Sequence, residues 1–239
     1  AGSVQTLEYA AAKNLYLGQK YPQAATALEN YLRTYPESAQ KSEALYFAGD
    51  AYKQAGEVSK ALDLFKLLEQ QAPSPYRVKA LQQLGKYELE NKNYSEALRY
   101  LEPIAQQTRT QVEEVEVMLG ILAAHFGLGN YNQAIDAAEK LIALGDILPG
   151  TTPKALLVKG KSQRALNQNS EAEDSFGLLL QEYTTEEAAE ALLLLALRYQ
   201  KKGDFVGSNE LIFDYSETFS AYDYWYGSMF LLLAENYIQ

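Results

Sequence analysis

Residues 45–65 read LYFAGDAYKQAGEVSKALDLF, and their pattern decides the fold. Apolar residues recur at three- and four-residue steps on both sides of Gly56, the period of helices that each bury one face. Gly56 sits between the two stretches, where glycine takes up a left-handed backbone at low steric cost. Gly49 on the first helix and Ala61 on the second are small, so the two axes can approach closely. Tyr52 and Phe65 are placed to fill the space around that contact.

The same unit recurs along the chain. Aligned on Ala61, the equivalent small residues are Ala24, Ala97, Ala134, Ala172 and Ser208, at successive spacings of 37, 36, 37, 38 and 36 residues. A period held this closely is the signature of a helical repeat array. The small partner on the first helix returns as Gly85 and Gly160, with Ala12 and Ala196 as close variants. Unit four departs, with Leu122 flanked by Gly120 and Ala123. Unit three has Glu88 for the tyrosine, and unit five has Asn169 where an aromatic usually opens the second helix.

Turn residues agree with this division. Gly18, Gly56, Gly129 and Gly203 lie between first and second helices. Pro36 and Pro73 follow second helices, Pro22 falls in the first turn of one, and Thr152-Pro153 reads as an N-cap followed by a first-turn proline. Pro103 falls inside a predicted helix and predicts a kink or a late start there.

The spacing of Leu45, Ala48, Gly49, Tyr52, Gly56, Ala61, Phe65 and Pro73 resembles the tetratricopeptide repeat. The resemblance implies an all-α, right-handed α-α superhelix, or solenoid, of antiparallel helix pairs. Six repeats, near 4–38, 42–74, 78–109, 112–147, 153–184 and 187–220, are expected with a partial seventh at 221–239, as one domain over 4–239. The seventh first helix carries Phe230, Leu231, Leu232 and Leu233, with Ala234 and Tyr237 at the small and aromatic positions. A solenoid end needs a polar cap, so the expectation is that the array continues. Capping by this helix, or self-association through Tyr222–Gln239, is the alternative.

In the family, first helices line a concave groove in which partners lie. Carried over by position, the groove residues are Tyr9, Lys13 and Tyr16 in unit one, and Glu43, Tyr46, Asp50 and Lys53 in unit two. Units three and five supply Gln82, Lys86, Lys161 and Arg164. Unit four gives Leu119, Ala123 and Phe126, and unit six Leu193 and Leu197. Lys13-Asn14 matches the start of the set with which one subclass grips a terminal carboxylate. The other members are not at matching slots, so that clamp is not expected. The junction from Tyr31 to Ser38, followed by Ala44-Leu45-Tyr46, resembles those of bacterial envelope repeat proteins, such as Tol-Pal-associated and outer-membrane-assembly lipoprotein types. This points toward a bacterial periplasmic or envelope setting.

Composition narrows the function classes. A net charge of −10 argues against nucleic acid, whose binding draws on neutralised phosphates, and against an anionic membrane surface. No cysteine is present, which removes disulfides, thiolate metal sites and cysteine nucleophiles. The longest apolar run, Ala191–Leu197, is far short of the ~20 residues that span a bilayer. The lone His125 falls at a packing slot of a first helix, with no motif to build a triad around it. Glu113, Glu114 and Glu116, like Glu186, Glu187 and Glu190, sit at helix starts, where carboxylates offset the helix dipole. Gly127-Leu128-Gly129 follows a helix and lacks the remaining phosphate-loop residues. No enzyme activity, cofactor or metal is expected. The expected function is a scaffold for a protein or peptide partner, the alternative a spacer or oligomerisation module of a larger protein.

Overall fold

The computed structural model describes residues 2–238, and every regular element among them is helical. Residues 1–109 and 110–239 form two compact units. Unit 1 holds α1 (Gly2–Leu17), α2 (Tyr21–Thr34), α3 (Lys41–Gln54), α4 (Val58–Glu69), α5 (Pro75–Glu90) and α6 (Tyr94–Leu101). Unit 2 holds α7 (Gln111–Gly127), α8 (Tyr131–Leu144), α9 (Thr151–Ala165), α10 (Asn169–Glu182), α11 (Glu186–Lys201), α12 (Phe205–Tyr215) and α13 (Asp223–Ile238). The fold is the expected all-α helical-repeat solenoid.

Within each unit every helix packs on the next, and each first helix also meets the first helix of the following repeat, as α3 meets α5 and α9 meets α11. Second helices make no comparable contact with one another. Within each stack the first helices therefore adjoin one another and form one continuous face. The pivots Ala24, Ala61, Ala97, Ala134, Ala172 and Ser208 are all buried.

The turn between paired helices repeats with the same precision. Gln19, Gly56, Lys92, Gly129, Asn167 and Gly203 have left-handed φ between 58° and 83°, and each precedes its pivot by the same number of residues. In the first repeat this corrects the expectation for Gly18, because Gln19 carries the positive φ. Three repeats thus hold a side-chain-bearing residue where the backbone favours glycine.

Two further details depart from the sequence reading. Pro103 does not kink α6. The helix stops at Leu101 and tightens into a 3-10 turn, Glu102–Ile104. Thr152 is not an N-cap, since α9 already begins at Thr151 behind a left-handed Gly150. Its free amides are capped from upstream by Asp146, whose carboxylate accepts from Gly150, Thr151 and Thr152 at 3.2, 2.8 and 3.3 Å. In unit four Leu122 and Gly120 are both buried while Ala123 is exposed.

On α13, Met229, Leu232, Leu233 and Asn236 are buried, and Ala234 and Tyr237 are exposed. Asn236 ties three helices together. It donates to Ser208 Oγ at 2.9 Å and Asn209 Oδ1 at 2.8 Å, and accepts from Gln200 Nε2 at 2.9 Å. No helix among the described residues is long and apolar enough to cross a membrane.

Candidate partner-binding surface

The first-helix face of unit 1 combines charged side chains with stacked rings. Lys13 of α1 forms an ion pair with Glu43 of α3 at 2.6 Å. The Lys13 ammonium also stands 5.1 Å from the Phe47 ring centroid and 5.8 Å from that of Tyr9, within cation–π range. One helical turn further along α1, Tyr16 donates its hydroxyl to Asp50 at 2.5 Å. Asp50 is buried, which commits its carboxylate to that bond.

Ring contacts extend the network. Tyr16 packs on Phe47 at 4.8 Å, and Tyr46 and Phe47 both reach Tyr76 of α5, at 6.0 and 6.1 Å. Lys79 of α5 stands 5.7 Å from the Tyr46 ring. Three first helices are thus joined through one aromatic and polar layer. Burial raises Glu43, but the Lys13 ammonium and the Tyr76 and Tyr9 hydroxyls outweigh it and hold the carboxyl below its usual range. Burial, with the Glu43 charge next, pushes Tyr9 up, and burial followed by the bond to Asp50 pushes up Tyr16. Burial first, then Asp50, raises Tyr46 to about 12.

Of the unit 1 residues singled out from sequence, Tyr9, Lys13, Tyr16, Glu43, Tyr46 and Asp50 belong to this layer. Lys53 and Lys86 lie further along the first helices, both exposed, with Lys53 donating to Gln83 at 2.6 Å. Gln82 of α5 is half-buried. Sequence reasoning missed Phe47, Tyr76 and Lys79. Tyr76 sits directly behind Pro75 at the start of α5, ahead of the expected repeat boundary. Its signal was the Ser74-Pro75 pair, an N-cap and first-turn proline, with Ser74 accepting from the Arg77 amide.

In unit 2, Phe126, Lys161 and Arg164 line one cavity of about 360 Å3 with Tyr131 and Ala165. Phe126 and Tyr131 meet edge to face at 5.9 Å. Lys161 pairs with Glu190 of α11. Leu119, Leu193 and Leu197 are half-buried. His125 is half-buried in the last turn of α7. Among the described residues no group of three histidines, cysteines or carboxylates could hold a metal ion. Glu113, Glu114, Glu186 and Glu187 lie in first turns of helices as expected.

Residues 9–75 match the model of the tetratricopeptide repeat. No functionally curated protein sequence matches the chain. The C-terminal part of a repeat-containing protein from Cytophaga hutchinsonii has a similar structure, with TM-score 0.66 and 19% identity over 92% of this chain and 83% of that one. PilF of Pseudomonas aeruginosa is similar at TM-score 0.56 and 16% identity, covering 92% of this chain and 97% of that one. PilW, a type IV pilus biogenesis factor, is similar at TM-score 0.53 and 18% identity, covering 92% and 99%. At these identities the likeness is one of fold.

Proposed function

We propose that this tetratricopeptide-repeat chain is a non-catalytic scaffold that binds a protein or peptide partner on its first-helix faces. Repeats of this kind generally mediate protein–protein interaction, and their curvature offers an extended surface. The observation that carries the reading is the layer joining α1, α3 and α5, where half-buried rings alternate with charged groups. Rigid aromatics with polar neighbours suit reversible recognition. The proposed groove residues are Tyr9, Lys13, Tyr16, Glu43, Tyr46, Asp50, Lys53, Gln82 and Lys86 in unit 1, and Phe126, Lys161 and Arg164 in unit 2, with the buried Asp50 acting by holding the Tyr16 hydroxyl and not by touching the partner. The even repeat spacing supports reading 4–239 as one domain.

The absence of cysteine from the sequence permits a clean test. A single Lys79→Cys on α5 and a single Asp63→Cys on α4, both exposed positions, are labelled with a bulky maleimide. Peptides selected on the unmodified chain from a random library are then offered to each. Loss of binding with the label at 79 and retention with the label at 63 supports the reading. The reverse pattern places the interface elsewhere.

A second reading, self-association through α13, is favoured by one observation. Phe230, Leu231, Tyr237 and Ile238 are 46%, 69%, 72% and 84% exposed along that helix. Leu231→Glu should then abolish any concentration-dependent dimer seen by light scattering. A chain that stays monomeric at every concentration sinks this alternative.

A further inference from the structure

The apolar surface of α12 and α13 is larger than the repeat itself requires. α13 docks on α12 in the register of the other repeats. Asn209 accepts from Asn236 Nδ2 at 2.8 Å, at the positions where Glu173 accepts from Arg198 one repeat earlier. In that register Phe230 and Ala234 stand where Leu81 and Gly85, or Leu156 and Gly160, are buried in earlier repeats. On α13 this face is open, and Tyr237 continues it.

A second helix laid on α13 as α4 lies on α3 would account for that stripe. It would not account for Val206 and Phe213 of α12, which are 69% and 56% exposed. They share one face of α12 with Asn209, which bonds α13. In the five earlier repeats the position of Val206 holds Pro22, Ser59, Ser95, Asn132 and Ser170. That of Phe213 holds Glu29, Lys66, Glu102, Glu139 and Gly177. Each of those second helices is followed in the chain by another repeat, and none carries a large apolar residue at the position of Phe213. Glu29 accepts from the Tyr52 hydroxyl at 2.5 Å and Glu139 pairs with Lys159 at 2.9 Å, so this position borders the following first helix. Tyr237 is the counterpart of Tyr52. By register Phe213 therefore borders Tyr237, and the two exposed stripes form one patch. A contiguous exposed apolar patch marks an interaction surface.

The charge around the patch selects what covers it. Residues 205–239 include Glu210, Asp214, Glu217, Asp223 and Glu235 and no lysine, arginine or histidine. All five carboxylates are exposed. A second copy docked face to face would set these charges against their own kind, which costs affinity, whereas opposite charge steers and selects a partner.

We infer that Val206 and Phe213 of α12, with Phe230, Ala234 and Tyr237 of α13, dock an amphipathic helix of a protein partner whose apolar stripe is flanked by lysine or arginine. The helix lies over Ala234 as α4 lies over Gly49. This surface belongs to unit 2 and is independent of the aromatic layer of unit 1.

The test uses three synthetic peptides of about 18 residues, fluorescently labelled and titrated by anisotropy against the full chain. One carries leucines at helical spacing with lysine flanks, one the same leucines with glutamate flanks, and one the lysine composition with its leucines dispersed. The first should bind, more weakly as salt is raised, and the other two at least roughly tenfold less tightly. Val206→Ser with Phe213→Ser makes both positions polar, as serine is at the first in three earlier repeats. It should weaken the first peptide at least roughly tenfold with unchanged helical circular dichroism. Val58→Ser with Leu67→Ser, exposed in unit 1, should leave its binding unchanged. Glu210→Lys with Asp214→Lys should move the preference toward the glutamate-flanked peptide.

Failure of the lysine-flanked peptide to bind overturns the inference, as does binding within about twofold of the parent by the Val206 and Phe213 variant. Equal binding of the glutamate-flanked or dispersed peptide overturns it too. A concentration-dependent dimer of the chain alone, abolished by the same two serines, gives the patch to a second copy instead. The bulky label at residue 79 should leave this binding intact, so the unit 1 reading and this one fail separately. Loss of binding with that label places the peptide in unit 1 and removes the inference.

Discussion

A Cβ placed on Gly49 of α3 would stand 2.6 Å from Cε1 of Phe65 on α4, closer than two carbons can approach. The ring lies directly on the backbone of the facing helix, and it is 1% exposed. Gly85 meets Leu101 and Gly160 meets Phe176 in the same manner. The small residue on each of these first helices exists to admit a large one from the second.

Gly49→Ala tests this with opposed signs. In an exposed helix interior the change would stabilise by ~1 kcal/mol through helix propensity. Here overpacking costs about 1–3 kcal/mol, so net destabilisation is expected in urea denaturation. A more stable variant would show that the contact relaxes freely.

The left-handed turn predicts the opposite response to glycine. Lys92→Gly and Gln19→Gly should each stabilise by up to ~1 kcal/mol, because φ at both is near 60°. Asn167→Gly should gain less, since asparagine tolerates this region. Thermal melts of the three variants give the order.

Acid should weaken unit 2 through Glu173. Burial alone would raise its carboxyl, but Lys202 and Arg198 pull it below the usual range. A carboxyl depressed in the folded state contributes stability above its unfolded pKa and loses it as pH falls through the folded value. Melting temperature should therefore fall on acidification from about pH 6 to about pH 3, and less steeply in Glu173→Gln. The side chains are about a third exposed, so the share is at most ~1 kcal/mol. An unchanged acid slope contradicts the assignment.

On α13 neighbouring leucines should behave differently. Leu232 is 3% exposed and Leu231 is 69% exposed. Leu232→Glu buries a charge and should destabilise by about 3 kcal/mol or more. Leu231→Glu should leave the melting temperature within about a degree, as most surface substitutions do.

The repeat was legible because its determinants are local. Pivots, turn position and helix period each follow from residues a few places apart, and Ala61 with Phe65 announces its own helix pair. Side-chain networks between repeats were less legible. Phe47 reads as one more apolar helical residue until α1 brings Lys13 and Tyr16 against it. Asp146 caps α9 from within a loop whose path no periodicity describes. Glu173 reads as a solvated charge until α11 supplies Arg198. Lys13 and Glu43 were both placed on the first-helix face by register, yet their pairing depends on how two repeats stack.

The central claim is that first-helix faces carry the partner. The most direct measurement uses a selected peptide bearing a nitroxide label, bound to isotopically labelled chain, with paramagnetic broadening read by NMR. The account predicts broadening of α3 and α5 signals around Lys53, Lys79 and Lys86, with Asn30 of α2 and Asp63 of α4 unaffected. Broadening centred on Asn30 and Asp63 would contradict it.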